Sequence, residues 1–67
     1  MQGTVSSFDE GAGLGTITAD DGTVFDFHCT AIADGSRTIE QETAVDFEPR
    51  PAHHGTWEAG AIRPRSR

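Results

Sequence analysis

The sequence predicts a small all-β barrel or sandwich of five antiparallel strands, on three observations. Short β-branched or apolar runs recur along the chain, and turn residues separate them. No stretch shows helical periodicity. The third observation is Gly11-Ala12-Gly13-Leu14-Gly15-Thr16-Ile17-Thr18, where glycine at every second position leaves one face of a strand nearly bare. Such a face occurs where a bulge, a tight barrel bend or another backbone comes close.

The first strand is expected over Gln2 to Asp9, carried by Thr4, Val5 and Phe8. Val5 and Phe8 are three apart, which breaks strict alternation and predicts a bulge or strong twist at Ser6-Ser7. Glu10 to Gly13 connects to a second strand, Leu14 to Thr18. Ala19-Asp20-Asp21-Gly22 is a turn signal, so the second strand and a third, Thr23 to Cys29, form a hairpin. Thr30 then opens one short turn, Ala31 to Ala33, too brief for a stable helix. Asp34 to Glu42 is a polar loop. Ala44-Val45-Asp46-Phe47-Glu48 alternates apolar and acidic, as a half-buried fourth strand does. Pro49 to Gly55 holds two prolines, which predicts an exposed loop outside the ladder, and Thr56 to Arg63 is the fifth strand. Val5, Phe8, Ile17, Phe25, Phe27, Ile32, Val45, Phe47 and Ile62 form the expected core. Residues 63–67 are expected to fray.

Sixty-seven residues make one domain, near the size below which a single apolar core needs help. An internal disulfide is excluded, because Cys29 is the only cysteine; this usage predicts a reduced, cytoplasmic setting. No apolar run reaches the length of a signal peptide or a membrane span. A soluble monomer is expected.

The net charge of −6 is unevenly placed. Residues 1–36 carry Asp9, Glu10, Asp20, Asp21, Asp26 and Asp34 with no Lys or Arg. Residues 37–67 balance five acids against Arg37, Arg50, Arg63, Arg65 and Arg67. Phosphate binding draws on cations that displace counterions, so a surface built from the first half opposes a polyanion.

In order and spacing, Met1-Gln2-Gly3-Thr4-Val5, Phe8, the glycine stretch, Asp20-Asp21-Gly22, Val24 to Thr30, Thr30-Ala31-Ile32, Asp34-Gly35, Phe47-Glu48 and Ile62-Arg63-Pro64 resemble the bacterial cold-shock protein family. The resemblance spans essentially the whole chain. It implies a five-stranded antiparallel OB-type barrel that binds single-stranded RNA or DNA by stacking bases on outward aromatics above a basic groove. The register of the third strand decides which side chains face outward. Counting back from Thr30-Ala31-Ile32 puts Phe25 and Phe27 inward, Asp26 and His28 outward, and Cys29 where the family has a phenylalanine. The opposite register buries Asp26 with no visible partner, at a cost of several kcal/mol, so the first is taken.

Set against the family's Lys-Gly-Phe-Gly-Phe-Ile, the aligned residues are Ala12-Gly13-Leu14-Gly15-Thr16-Ile17. Both glycines and the isoleucine remain, while the lysine and both phenylalanines are replaced. Ser6 and Ser7 stand for the family's lysine and stacking tryptophan. Asp26, His28 and Cys29 stand for an outward Phe-His-Phe, and Ser36 for a further phenylalanine in the loop. Only His28 and Arg37 keep a family-like side chain. At about 1–3 kcal/mol per base–aromatic stack, roughly six missing rings remove on the order of 6–10 kcal/mol even after discounting for non-additivity. The resemblance therefore implies weak single-strand binding, or a barrel that has left nucleic acid for a protein or small-ligand partner.

Other chemistries find little support. His53-His54, His28 and Cys29 lack metal-ligand spacing, and adjacent strand residues such as His28 and Cys29 point to opposite faces, so no metal or cofactor is expected. Asp26 and His28, two apart on one face, are near enough for a charge contact but have no clear nucleophile beside them. No enzyme is expected. Trp57 is read as a half-buried cover at one barrel end.

Overall fold

In a computed structural model, residues 1–33, 35, 38–51 and 56–65 are described. The strands are β1 (Gln2–Asp9), β2 (Leu14–Ala19), β3 (Val24–His28), β4 (Ala44–Pro51) and β5 (Trp57–Pro64), with one 3-10 turn at Cys29–Ala31. They close into a barrel in the order β1-β2-β3-β5-β4. The expected five-stranded all-β barrel is the fold.

β1 and β2 pair antiparallel from Gly3↔Ala19 to Asp9↔Leu14, with a register shift between Val5 and Ser7. Ser6 is the extra residue, and the shift lets Val5 and Phe8 both face inward. Asp9 Oδ1 accepts from the Gly11 and Ala12 N–H groups at 3.0 and 3.3 Å, which rounds the chain into β2. Only Gly15 of the glycine series lies within a strand; Gly11 and Gly13 belong to the turn. Gly13 has φ +69°, and Gly15 lies so close to the Phe27 ring and the Ser7 carbonyl that a Cβ there would meet both at 2.6 Å. Left-handed backbone at one site and close approach at the other explain the two glycines.

The β2–β3 hairpin turns through Ala19 to Thr23, where Asp21 Oδ1 accepts from the Thr23 N–H at 2.9 Å. Hydrogen bonds from the Thr23 backbone and then its side chain hold the Asp21 carboxyl below its ordinary value of 3.8. β3 follows the chosen register: Phe25 and Phe27 are buried, and Val24, Asp26 and His28 are exposed. The strand ends at His28, one residue before the sequence reading has it, because the 3-10 turn starts at Cys29 rather than after Thr30.

The fourth strand departs most from expectation. It continues through Pro49-Arg50-Pro51, which pair with Ala59, Glu58 and Trp57. β4 pairs with β1 over Ala44 to Asp46, and Phe47 still exchanges backbone hydrogen bonds with Met1; beyond Phe47 its second edge is open. Two prolines at alternate positions direct their missing donors to the same edge, and an uncovered edge tolerates this. At the other end of β5, the Arg65 N–H donates to Ala44 O at 2.8 Å, so the chain stays paired through residue 65 where fraying is expected from 63. Ala52 to Gly55, with the His53-His54 pair, and Ser66 and Arg67 lie outside the described residues.

The core comprises Val5, Ile17, Ala19, Phe25, Phe27, Ile32, Val45, Phe47, Ala59 and Ile62. Phe8 is only half-buried, at the end of β1, where its ring stacks on Phe27 at 5.8 Å. Trp57 is 55% exposed, opposite Pro51 at the open end of the β4–β5 ladder, and does not cover the barrel end. β3 joins β5 in parallel through the single bridge Asp26↔Glu58. Among the described residues no helix is long and apolar enough to cross a membrane.

Candidate functional site

The outward side of β1, β2 and β3 collects most of the sequence-designated residues. Leu14 stands opposite His28, Thr16 opposite Asp26, and Ser7 opposite Thr16. The phenylalanines of these strands all turn to the core, so among the described residues this face carries no Phe, Tyr or Trp. Its exposed apolar groups are Leu14 and Val24, 52% and 59% exposed, at opposite ends of the β2–β3 ladder.

Hydroxyl groups occupy the middle. Thr16 Oγ1 lies 3.0 Å from Ser6 Oγ and 2.8 Å from Ser7 Oγ, and Thr18 Oγ1 donates to Ser6 Oγ at 3.1 Å. The bulge makes this possible: an extra residue in β1 puts two consecutive serines within reach of one threonine. Thr18 has no signal in the sequence, since its place in the cluster depends on the bulge. Beside the cluster is a shallow depression of about 390 Å³ lined by Ser7, Leu14, Gly15, Thr16, Asp26 and Phe27.

His28 does not turn to Asp26. Its Nδ1 accepts from the Thr30 N–H at 3.3 Å and lies 3.1 Å from the Thr30 hydroxyl. Cys29 Sγ is 3.8 Å from the same Nδ1, against the expectation that neighbouring residues face apart. The strand alternation stops at His28, and the 3-10 turn swings Cys29 back beside Gly13, whose carbonyl accepts the Cys29 N–H at 2.8 Å. Among the described residues no three His, Cys, Asp or Glu side chains come together as a metal set. Ala12 is exposed in the β1–β2 turn, outside the sheet face. Ser36 and Arg37 lie outside the described residues.

The row of cross-strand neighbours continues past β3. Asp26 is bridged to Glu58 of β5, and Glu58 is paired with Arg50 of β4. Two like charges thus sit side by side, an arrangement that destabilises a sheet. Arg50 pairs instead with Glu48 at 3.3 Å, and both are exposed. Past the single β3–β5 bridge the two strands separate, leaving a groove of about 420 Å³ whose lining includes His28, Thr30, Arg50, Glu58 and Gly60. Arg50, Glu58 and Gly60 carry no site signal in the sequence, because only the long-range β3–β5 closure brings them to the edge of β3.

Residues 1–63 match the family model described as the 'Cold-shock' DNA-binding domain. No curated protein matches the chain.

Proposed function

The chain belongs to the cold-shock domain family, whose members bind nucleic acid, and from that premise we propose that it is a single-domain, monomeric, cytoplasmic binder of single-stranded RNA or DNA with low affinity. Its contact surface is the outward face of β1 to β3, through Ser6, Ser7, Leu14, Thr16, Asp26 and His28, with Cys29 at its margin and Ala12 in the adjoining β1–β2 turn; Ser36 and Arg37 join it on the family resemblance alone. It performs no catalytic step. The observation that carries the reading is the composition of that face: hydroxyls and a carboxylate where bases need rings, in a half of the chain with no Lys or Arg. Stacking and counterion release are the two main sources of sequence-tolerant single-strand affinity, and both are reduced here.

Oligothymidine is expected to bind with a Kd of about 100 micromolar or weaker, about −5.5 kcal/mol, at about 0.1 M salt. Isothermal calorimetry checks this, whereas quenching of Trp57 does not, because Trp57 stands opposite Pro51 in the β4–β5 ladder and is not one of the face's residues. Low-micromolar binding would overturn the reading. A second reading, a protein- or small-ligand-interaction module, is favoured by the Ser6–Ser7–Thr16–Thr18 hydroxyl cluster beside Asp26, which suits a partner rich in hydrogen-bond donors. Complete absence of oligonucleotide binding at low salt selects it.

A further inference from the structure

We infer that the groove between β3 and β5 is a phosphate-contact site for a single strand leaving the β1–β3 face, with Arg50 as its cation. The inference rests on the single-strand reading above. β3 and β5 share the bridge Asp26↔Glu58, and the chain after β3 returns to β5 at Ile32↔Ile62, where the Ala33 N–H also donates to Ile62 O at 2.7 Å. Between these points β3 passes into the 3-10 turn at Cys29–Ala31, whereas β5 runs through Ala59, Gly60 and Ala61. The chain on the β3 side is longer than its counterpart and bows away, which opens the groove. Ala61 takes the surplus twist with φ +48°.

The floor of the groove is made of small residues, so a sugar–phosphate backbone can approach the β5 main chain. Arg50 crosses from β4 over Gly60: a Cβ on Gly60 would lie 2.6 Å from the Arg50 Nε and 2.8 Å from its Cδ. Glycine at 60 is what lets the arginine lie down there. Among the described residues Arg50 is the one Lys or Arg in this groove or in the depression on the β1–β3 face. His28 belongs to both surfaces, opposite Leu14 on the sheet and on the wall of the groove. A strand lying across Leu14 and His28 therefore continues into the groove and reaches a cation that the rest of the face lacks. Glu48 and Glu58 weaken the site, in keeping with low total affinity.

The test is a titration of the whole chain with oligothymidine across a salt series, for the parent, Arg50→Ala, Arg50→Lys and Arg63→Ala. Arg50 is exposed, and circular dichroism checks that each variant is folded. Arg50→Ala is expected to weaken binding about threefold to tenfold at low salt and to flatten the log–log salt slope by about 0.7, the value of one phosphate contact on a single strand. Arg50→Lys keeps the slope, and Arg63→Ala, at a position opposite Asp46 in the β4–β5 ladder and outside the groove lining, leaves it unchanged. A parent that binds while Arg50→Ala retains its slope overturns the groove and leaves the single-strand reading standing. Equal flattening by Arg63→Ala also overturns it, since the effect is then net charge alone. A parent that binds nothing at low salt overturns both.

Discussion

The combined substitution Ser7→Trp, Leu14→Phe, Thr16→Phe and Asp26→Phe is expected to raise oligothymidine affinity nearly a thousandfold, or about 4 kcal/mol, taking about 1 kcal/mol per ring. The four positions are cross-strand neighbours on one surface: Ser7 faces Thr16, Thr16 faces Asp26, and Leu14 lies one pleat away on β2. Gly15, pressed on the Phe27 ring, keeps the space between Leu14 and Thr16 free for bases. Replacing Thr16 and Ser7 removes hydrogen bonds among exposed hydroxyls, which water replaces at little net cost. Losing Asp26 also removes a negative charge from the position opposite Glu58, which favours the approach of phosphate. A larger exposed apolar patch lowers solubility. Calorimetry on the folded variant checks the gain; affinity no better than the parent's would mean that the face does not act as a stacking surface.

Phe47→Ala is expected to cost about 3–5 kcal/mol of stability, the range for emptying a buried aromatic site. Phe47 is 2% exposed and meets Phe25 edge-on at 5.1 Å between centroids. Its backbone also closes the barrel, exchanging 2.8 Å hydrogen bonds with Met1 in both directions. A core of this size rarely supplies more than about 3–5 kcal/mol in total, so the variant is largely unfolded at room temperature. Urea denaturation followed by circular dichroism measures the loss. A midpoint equal to the parent's would contradict the placement of Phe47 in the core.

The fold was legible because its signals are local and mutually consistent. Phe25-Asp26-Phe27-His28 has only one register that keeps the carboxylate in water, and that register orients the candidate face. The Val5–Phe8 spacing marked the bulge that brings Ser6 and Ser7 to Thr16. What the residues did not reveal depends on partners distant in sequence. Pro49 and Pro51 read as a loop because their tolerance comes from an open edge, which is a property of where β1 stops pairing. The approach of Cys29 to His28 follows from a strand ending one residue early. The Arg50 groove exists only through the way β5 closes on β3. Both motif glycines are explained by the fold itself, so their presence speaks for the barrel, and the side chains between them speak for its activity.

The most direct test of the central claim is amide chemical-shift mapping of the parent with oligothymidine at low salt. Perturbations are expected to rise without saturating below about 100 micromolar. They should centre on Ser7, Leu14, Thr16, Asp26 and His28, pass toward Gly60, and leave Ala44 to Asp46, which pair with the opposite end of β1 at Gln2 to Thr4, unmoved. Saturation at low-micromolar ligand, or shifts confined to β4 with β2 and β3 silent, would contradict the account.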